Sequence, residues 1–317
     1  MDRSIVLSVV VPMRNEANGL ESLFDRLLPV LDSINPRWEI ICVNDGSDDA
    51  TLDGLKAAHS AEPRIRVIDL SRNFGKEAAL TAGLDAASGD AVVPMDADLQ
   101  HPPELIPELV ARWREGFDVV LARRRSRSTD RPIRGLLART FYRTHNLLSH
   151  TVIPEDVGDF RLMDRRVVQA VRRLPETQRF MKGIFAWVGY RACTVEFEVT
   201  TRLDGESRFG SWRLWNLALE GITSFSTIPL QIWTYVGGAI SMVALVSAVW
   251  IVAKTLISGT DLPGYPSLFT AILLFGGIQL IGIGVLGEYI GRIYGETKRR
   301  PVYLVRERYG FEPTDER

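Results

Sequence analysis

Two long stretches without a charged residue constrain the fold of this 317-residue chain more than any other feature. They cover residues 221–253 and 262–287. Because a bilayer core of about 30 Å needs roughly 20 apolar residues in a helix, each stretch is long enough to span a membrane. Two buried core helices are the alternative, but core helices rarely stay uncharged over such lengths. The pattern therefore favours a transmembrane hairpin.

The charges that flank the two stretches predict the orientation of the hairpin. The connection at 254–266 contains one Lys and one Asp among glycines and prolines. Four basic residues follow the second stretch, namely Arg292, Lys298, Arg299 and Arg300. Since positively charged residues collect on the cytoplasmic side, the C-terminus and the N-terminal domain are both expected in the cytoplasm.

The segment before the first stretch has apolar residues at helical spacings of three and four. They are Trp212, Trp215, Leu219, Ile222 and Phe225. This pattern is typical of an amphipathic helix in the headgroup layer, and tryptophans favour that layer. A helix packed on the soluble domain is the alternative. The predicted division is a cytoplasmic domain at 1–205, interfacial helices at 206–228, the two-helix hairpin at 229–291 and a basic cytoplasmic tail at 292–317.

The first 200 residues alternate between strand-like and helix-like segments. Strands are predicted at 4–11, 38–44, 65–69, 91–95 and 119–122. Helices are predicted at 20–34, 51–60, 76–87 and 103–115. Such alternation is typical of an α/β domain with a mostly parallel sheet covered on both faces. Ligands of such domains bind at the carboxyl ends of the strands.

Polar segments follow four of the predicted strands, at the edge where a ligand is expected. They are residues 12–16, 44–48, 71–76 and 95–100. Asp96 and Asp98 are the sharpest pair, because alternate residues of an extended segment point the same way and their carboxylates can converge. Hard oxygen ligands suit Mg²⁺ or Mn²⁺ shared with a diphosphate. An isolated Asp-x-Asp is common in solvated loops, but its position after a buried strand favours the metal site.

Composition and spacing exclude several other classes of function. A formal net charge of −1 gives no basic field for nucleic acid. Cys42 and Cys193 lack metal-ligand spacing and are expected to be reduced core residues. The Gly-x-Gly-x-x-Gly match at 282–287 lies inside a predicted span with no strand before it, so it does not indicate dinucleotide binding. Glycines at 287, 291 and 295 instead suit close helix packing within or between subunits.

Taken in order, the motifs of the chain resemble one enzyme family. Val-Pro-x-x-Asn-Glu starts at residue 11, Asn-Asp-Gly-Ser-x-Asp at 44, Asn-x-Gly-Lys at 73 and Asp-Ala-Asp-Leu-Gln-x-Pro-Pro-Glu at 96. With Gly-Asp-Phe-Arg-Leu-Met-Asp at 158–164 and the two apolar stretches, the chain resembles the polyisoprenyl-phosphate glycosyltransferases among the inverting GT-A enzymes of family 2. Relatives often have Lys-Tyr where this chain has Arg208-Phe209.

The resemblance implies a reaction, a location and partners. A sugar would pass with inversion from a nucleotide-sugar, UDP-glucose or another UDP-hexose, to polyisoprenyl (undecaprenyl) phosphate at a bacterial inner membrane. A GDP-mannose-dependent mannosyl transferase is the alternative. The implied partners are the donor, the acceptor, membrane lipids and copies of the same chain in a homo-oligomer (a tetramer). A processive polysaccharide synthase would need a Gln-x-x-Arg-Trp motif and more spans, and a non-catalytic membrane scaffold would be expected to lose the acidic pair.

The resemblance also implies roles for single residues. Nucleotide-sugar binding is implied for Pro12, Glu16, Asp45, Lys76, Asp96 and Arg202. Binding of Mg²⁺ or Mn²⁺ is implied for Asp96, Asp98 and Gln100, and a catalytic role for Asp159, Asp98 and Gln100. Contacts with the acceptor phosphate are implied for Arg123, Arg134, Arg179, Lys182 and Arg208.

Two assignments keep alternatives. Asp159 lies where a general base is expected, but a phosphate acceptor is mostly dianionic at neutral pH and needs little proton removal. The same carboxylate can instead orient Arg123 or Arg134 through an ion pair. The basic run at 123–134 is a solvated loop, a lipid-headgroup patch or an acceptor site. Its position after the fifth strand favours the use of one or two of its arginines in binding the acceptor.

Overall fold

The computed structural model describes residues 6–34, 37–124, 157–177, 179–197 and 264–312, together with scattered helical positions between 233 and 257. The strands are β1 Leu7–Met13, β2 Trp38–Asn44, β3 Ile65–Leu70, β4 Ala91–Pro94, β5 Val119–Arg124, β6 Val157–Asp164, β7 Ala192–Phe197 and β8 Val305–Tyr309. The helices are α1 Leu20–Ile34, α2 Thr51–Ala61, α3 Lys76–Ala86, α4 Ile106–Arg114, α5 Arg165–Arg172, α6 Met181–Trp187 and α7 Tyr265–Thr297.

The eight strands form one sheet in the order β7-β5-β6-β4-β1-β2-β3-β8. Its centre, β4-β1-β2-β3, is parallel, and β5 and β7 are also parallel to each other. Strand β6 runs antiparallel to both β4 and β5, and β8 runs antiparallel to β3. The sheet is therefore mixed and mostly parallel, as the alternation of strands and helices predicted.

Helices cover both faces of the sheet, which explains why the central strands are nearly continuous apolar runs. Side chains of α1, α2 and α4 fill one core, exemplified by Leu27, Leu55 and Leu109. Side chains of α3, α5 and α6 fill the other. Helix α3 packs closely on β1. There is no room for a side chain at Gly83, since a Cβ atom there would stand 2.2 Å from Val10 Cγ1. The start of α3 is thereby fixed at the carboxyl end of the central strands.

The predicted elements of the first 124 residues are confirmed with small shifts. Strand β2 and helix α1 have the predicted bounds, and strand β1 begins three residues later than expected. The helix expected at 103–115 starts as a 3-10 turn, Pro103–Leu105, before α4. Strands β6, β7 and β8 and helices α5 and α6 are additions that the sequence pattern did not predict.

The C-terminal region combines an apolar helix with a strand of the sheet. Within the described residues one helical stretch, Leu274–Thr297, is long and apolar enough to cross a membrane. It belongs to α7 and overlaps the second predicted span, 262–287, over residues 274–287. The first span lies mostly outside the described residues, and so do the interfacial helices at 206–228. The segment expected as a tail returns to the sheet as β8, where the backbone N–H of Ser71 donates to Leu304 O over 2.8 Å.

Candidate active site

The loops after β1 and β2 are joined by hydrogen bonds into one unit. Asn15 adopts a left-handed φ of 56°, its Oδ1 accepts from the Asp48 backbone N–H at 2.9 Å, and its own N–H donates to Ser47 Oγ at 3.0 Å. The Glu16 N–H donates to Thr51 Oγ1 at 2.9 Å. The half-buried Glu16 therefore lies in a braced loop, just after the half-buried Pro12 at the end of β1.

Asp45 holds the loop that follows β3. It is buried, and its two carboxylate oxygens accept from the backbone N–H groups of Phe74 at 2.7 Å and Gly75 at 3.0 Å. The two loops lie so close that a Cβ on Gly46 (φ +59°) would stand 2.5 Å from a backbone nitrogen of the facing loop. The family resemblance implies that Asp45 binds the nucleoside, and this role stays a prediction. In the structure it positions the loop that leads into Lys76.

Lys76 brings two distant segments of the chain together. Its Nζ lies 2.6 Å from Asp96 Oδ1 and 2.7 Å from Asp159 Oδ2. Burial alone would lower the pKa of Lys76, but the two carboxylates outweigh burial and raise that pKa above its ordinary value. Burial also works against ionised Asp159, yet the charge of Lys76 leaves the pKa of Asp159 below its usual range. Lys76 and Asp159 are therefore both charged at neutral pH.

The acidic segment after β4 is a turn and not the extended strand end that the sequence analysis assumed. Leu99 adopts a left-handed φ of 55° with its side chain buried, and the core contacts of that side chain offset the backbone strain. The predicted alternation still holds. Asp96, Asp98 and Gln100 are half-buried, whereas Ala97 and Leu99 between them are buried.

The side chains of this turn fit a hard divalent cation. Gln100 Nε2 donates to Asp98 Oδ2 at 2.7 Å, so the amide and the carboxylate are already adjacent. Across the part of the chain that the structure describes, no three His, Cys, Asp or Glu side chains form a metal cluster. Two carboxylates and one amide leave several positions of a six-coordinate ion free. That donor set suits Mg²⁺ or Mn²⁺ shared with a diphosphate.

Asp159 has a partner that the sequence analysis did not predict. Its Oδ2 pairs with Lys76, whereas its Oδ1 is buried and has no hydrogen-bond partner among the described residues. Arg123, one of the two arginines expected to pair with it, is exposed at the end of β5. The other, Arg134, lies outside the described residues, as do Arg202 and Arg208.

A cavity of about 180 Å³ adjoins this junction on the side of α6. Two cations, Arg161 and Lys182, line it together with apolar and aromatic side chains such as Leu121, Phe185 and Tyr190. Arg161 follows Asp159 by two residues on β6. Because alternate residues of a strand share a face, Asp159 and Arg161 lie on the same side of the sheet, about 7 Å apart along the strand. The cavity is therefore next to the Lys76–Asp159 ion pair.

Arg161 is a site residue that the sequence analysis missed. Its side chain is buried, its Nη2 donates to Gly158 O at 2.7 Å, and its guanidinium lies 4.3 Å from the centre of the Phe185 ring. Burial lowers the pKa of Arg161 to about 10. The available signal was an arginine within the apolar run that follows Asp159, since charged residues are rarely buried without a specific reason.

Arg179 and His101 contribute less to the site than their positions suggested. The Arg179 guanidinium donates to the backbone oxygens of Leu174 at 2.7 Å and Glu176 at 3.1 Å, so it organises the segment before α6. The His101 ring stacks on Phe160 with centroids 5.2 Å apart, and burial lowers the pKa of His101.

Comparisons with known proteins cover nearly the whole chain. Residues 8–172 match the family described as Glycosyl transferase family 2. An uncharacterized glycosyltransferase of Synechocystis sp. is 53% identical, with 98% of this chain and 97% of that protein covered. A prophage bactoprenol glucosyl transferase homolog of Escherichia coli is 48% identical, with 95% and 98% covered. The bactoprenol glucosyl transferase of Shigella phage SfX is 49% identical, with 95% and 99% covered.

A solved structure shows a more distant similarity. The glucosyl-3-phosphoglycerate synthase of Mycobacterium tuberculosis, in complex with Mn²⁺, UDP-glucose and phosphoglyceric acid, is 23% identical with a TM-score of 0.48. The alignment covers 69% of this chain and 78% of that one.

Proposed function

This chain belongs to glycosyl transferase family 2, and we propose that it transfers a hexose from a UDP-sugar to undecaprenyl phosphate with inversion at the anomeric carbon. Relatives that are named for bactoprenol glucosyl transfer are 48–49% identical over nearly the full chain, which supports a polyprenyl-phosphate acceptor. The observation that carries the proposal is the position of Lys76. It pairs with Asp96 of the acidic turn, which suits a metal diphosphate, and with Asp159, two residues before Arg161 of the cavity.

The acidic turn would hold the donor. Asp96, Asp98 and Gln100 would bind Mg²⁺ or Mn²⁺, and a bound cation neutralises charge on the diphosphate leaving group, usually a large catalytic contribution in a water-poor site. Pro12, Glu16 and Asp45, at the ends of β1 and β2, would hold the nucleoside, together with Arg202. Lys76 has three N–H donors, so it can bind a phosphate oxygen while it keeps one carboxylate partner.

The acceptor needs little help with its proton. A phosphate monoester has a second pKa near 6 and is mostly dianionic at neutral pH. Asp159, whose pKa is lowered, is a weak base. We therefore assign Asp159 the task of orienting Lys76 instead of removing a proton. Inversion follows when the acceptor oxygen attacks the anomeric carbon from the side opposite to the departing diphosphate.

The cavity beside Asp159 would receive the phosphate end of the lipid. Lys182 and Arg161 supply positive charge, while Leu121 and Phe185 supply apolar surface for an isoprenoid chain. Arg179 stabilises the segment before α6. The remaining basic positions assigned to the acceptor phosphate are Arg123, Arg134 and Arg208.

The membrane arrangement belongs to the same proposal. Residues 1–205 would form the cytoplasmic catalytic domain, 206–228 the interfacial helices and 229–291 a two-helix hairpin in the bacterial inner membrane. Gly287, Gly291 and Gly295 lie one turn apart on α7 and suit helix packing in a homo-oligomer. A cysteine introduced as Ser258→Cys should react only with reagent outside the cell, whereas Thr314→Cys should be protected. Labelling of both from the same side would contradict the hairpin.

The donor and acceptor can be tested together. Membranes that contain the protein are incubated with polyprenyl phosphate and a panel of radiolabelled UDP- and GDP-sugars, and the lipid-extractable label is counted. The proposal predicts label from a UDP-hexose that depends on both the protein and the lipid. Label from GDP-mannose alone would favour the mannosyl alternative. No lipid-linked label from any donor would overturn the proposed function.

A further inference from the structure

The C-terminal end of helix α7 is joined to the segment that leads into α6. The backbone N–H of Thr177 donates to the carboxylate of Glu296, and both carboxylate oxygens lie 3.0 Å from the nitrogen. The two residues are half-buried and lie 119 positions apart in the chain. Glu296 is the last residue but one of α7. The helix that carries the apolar stretch therefore binds a loop of the α/β domain directly.

The segment that contains Thr177 connects this contact with the cavity. Arg179 holds the segment in shape, because its guanidinium donates to two backbone oxygens of the segment at 2.7 and 3.1 Å. Phe180 is buried, and its backbone oxygen accepts from two N–H groups of α6. Lys182 and Phe185 of α6 line the cavity. A shift of Thr177 would therefore change the position of the cavity wall.

A second contact holds the chain just beyond α7 against the same domain. The hydroxyl of Tyr303 donates to Asp85 Oδ2 near the end of α3 at 2.9 Å. The other oxygen of Asp85 lies 3.7 Å from Nε of Arg172, the last residue of α5. The end of α7 is thus fixed by contacts other than the one to Thr177. Glu296 is a fixed point against which the segment before α6 is placed.

Resting on the proposed function, we propose that Glu296 is a positioning residue that holds the acceptor cavity at a set place relative to the bilayer. Charged side chains resume at Glu288, so the last turns of α7 lie beyond the apolar stretch. No proline follows Pro266 in α7, and a helix without one bends only gently. The helix therefore transmits the position of its apolar part to Thr177. A lipid whose chain lies in the same bilayer would present its phosphate at the level of Lys182.

Kinetics with two acceptors test this role in the full-length protein in vesicles. Glu296→Ala should raise the KM for long-chain polyprenyl phosphate in the bilayer about tenfold, the lower end of the range for a hydrogen bond to a charged group. The KM for a short, water-soluble isoprenyl phosphate should not change, since that acceptor reaches the cavity from solution. UDP-sugar affinity should also stay the same. Glu296→Gln keeps an oxygen that can accept from Thr177, so its effect should be smaller.

The matched control is Glu288→Ala. Glu288 is an exposed glutamate two turns earlier on α7 that pairs with Arg292 at 3.1 Å, and its removal should leave both acceptor KM values unchanged. An unchanged KM for the bilayer acceptor in Glu296→Ala would overturn the proposal. An equal rise for both acceptors would also overturn it, because Glu296 would then affect only the shape of the cavity. Absence of transfer by the wild type would instead count against the proposed function.

Hydrogen exchange gives a readout that needs no activity. The exchange of the Thr177 amide is followed by mass spectrometry in the full-length protein, because a backbone N–H exchanges faster when its hydrogen bond is lost. We expect about tenfold faster exchange in Glu296→Ala, a smaller change in Glu296→Gln and no change in Glu288→Ala. If Glu296→Ala does not fold, Glu296→Gln carries the comparison. Unchanged exchange at Thr177 in the folded Glu296 variants would show that the contact does not hold this segment, and the proposal would be wrong.

Discussion

The side of the sheet that we propose binds the donor, β1 to β4 with their loops (the donor side), and the side that we propose binds the acceptor, β5 to β7 with α6 (the acceptor side), carry opposite charges at the site. The donor side carries carboxylates on the loops that follow its strands. Asp45 accepts from the loop after β3, and Asp98 accepts from Gln100 within its own turn. The acceptor side carries the cations Arg161 and Lys182 around a cavity. At the junction the charges are exchanged. The cation Lys76 comes from the donor side, and the carboxylate Asp159 comes from the acceptor side.

Under the proposed function, this exchange of charges would let one site hold two phosphate-bearing substrates. A diphosphate and a phosphate monoester repel each other at close range, and a bound cation together with fixed lysines would offset that repulsion. Lys76 contacts a carboxylate of each side at 2.6 and 2.7 Å. We infer that the ion-pair junction sets the distance between donor and acceptor.

The largest effect is expected from removal of a metal-binding charge on the donor side. Asp96→Asn and Asp98→Asn should each lower transfer by about 100- to 1000-fold, the range for loss of a charge-stabilising group in an active site. Metal-dependent donor binding, measured by calorimetry with Mn²⁺ and the UDP-sugar, should disappear while the fold is kept. The control Asp53→Asn changes an exposed aspartate of α2 and should have no effect. Near-normal turnover in both variants that a chelator does not reduce would contradict the assignment of a metal site to Asp96 and Asp98.

The next largest effect should come from the lysine that the two sides share. Charged hydrogen bonds contribute about 1.5–3 kcal/mol, so Lys76→Gln should lower transfer by about 10- to 150-fold. Without Lys76, only Lys182 and Arg161 oppose the effect of burial on Asp159, and the pKa of Asp159 should rise. A pH titration of the Asp159 carboxyl carbon by NMR measures this shift. An unmoved pKa would mean that the two sides are not coupled through Lys76.

A smaller and more selective effect is expected on the acceptor side. Lys182→Gln should raise the KM for polyprenyl phosphate by about tenfold, because it removes one charged contact to the phosphate. Donor affinity should hardly change. Arg173→Gln, which neutralises an exposed arginine after α5, is the matched control. A fall in donor affinity with an unchanged KM for polyprenyl phosphate would show that Lys182 binds the donor diphosphate instead.

The smallest effect concerns the strand that closes the donor edge of the sheet. Arg306 on β8 donates to Ser71 O at 2.7 Å and lies 3.5 Å from the buried Asp69. Arg306→Ala should lower the free energy of unfolding by about 1 kcal/mol, since the arginine is partly exposed to solvent. Chemical denaturation measures this change. A drop in transfer without a change in stability would give β8 a direct part in the reaction.

The two sides also differ in how well the sequence predicted them. The donor side consists of short apolar strands that alternate with helices, so local periodicity placed nearly every element and the polar strand ends marked the site. Strands β7 and β8 are half-exposed edge strands with charged side chains, for instance Arg306 and Glu307. Edge strands often carry charge, which hides their pattern. Strand β6 takes its place through long-range antiparallel pairing, which periodicity does not report.

The same limit applies to the site residues. Asp96 and Asp159 were recognisable as motif positions, but their common partner Lys76 was assigned only to the donor. The ion pair of Lys76 with Asp159 joins residues 83 positions apart in the chain. Arg161 owes its place at the site to burial, a property that depends on packing and not on local sequence.

A double-mutant cycle of Lys76→Gln and Asp159→Asn tests the central claim most directly. The kcat/KM for transfer to polyprenyl phosphate is measured for the wild type, both single variants and the double variant. If Lys76 joins the two sides through Asp159, the double variant should lose about tenfold less than the product of the single losses, a coupling of about 1.4 kcal/mol. A parallel cycle with the exposed Asp53→Asn should be additive. Additive losses for Lys76 and Asp159 would contradict the account.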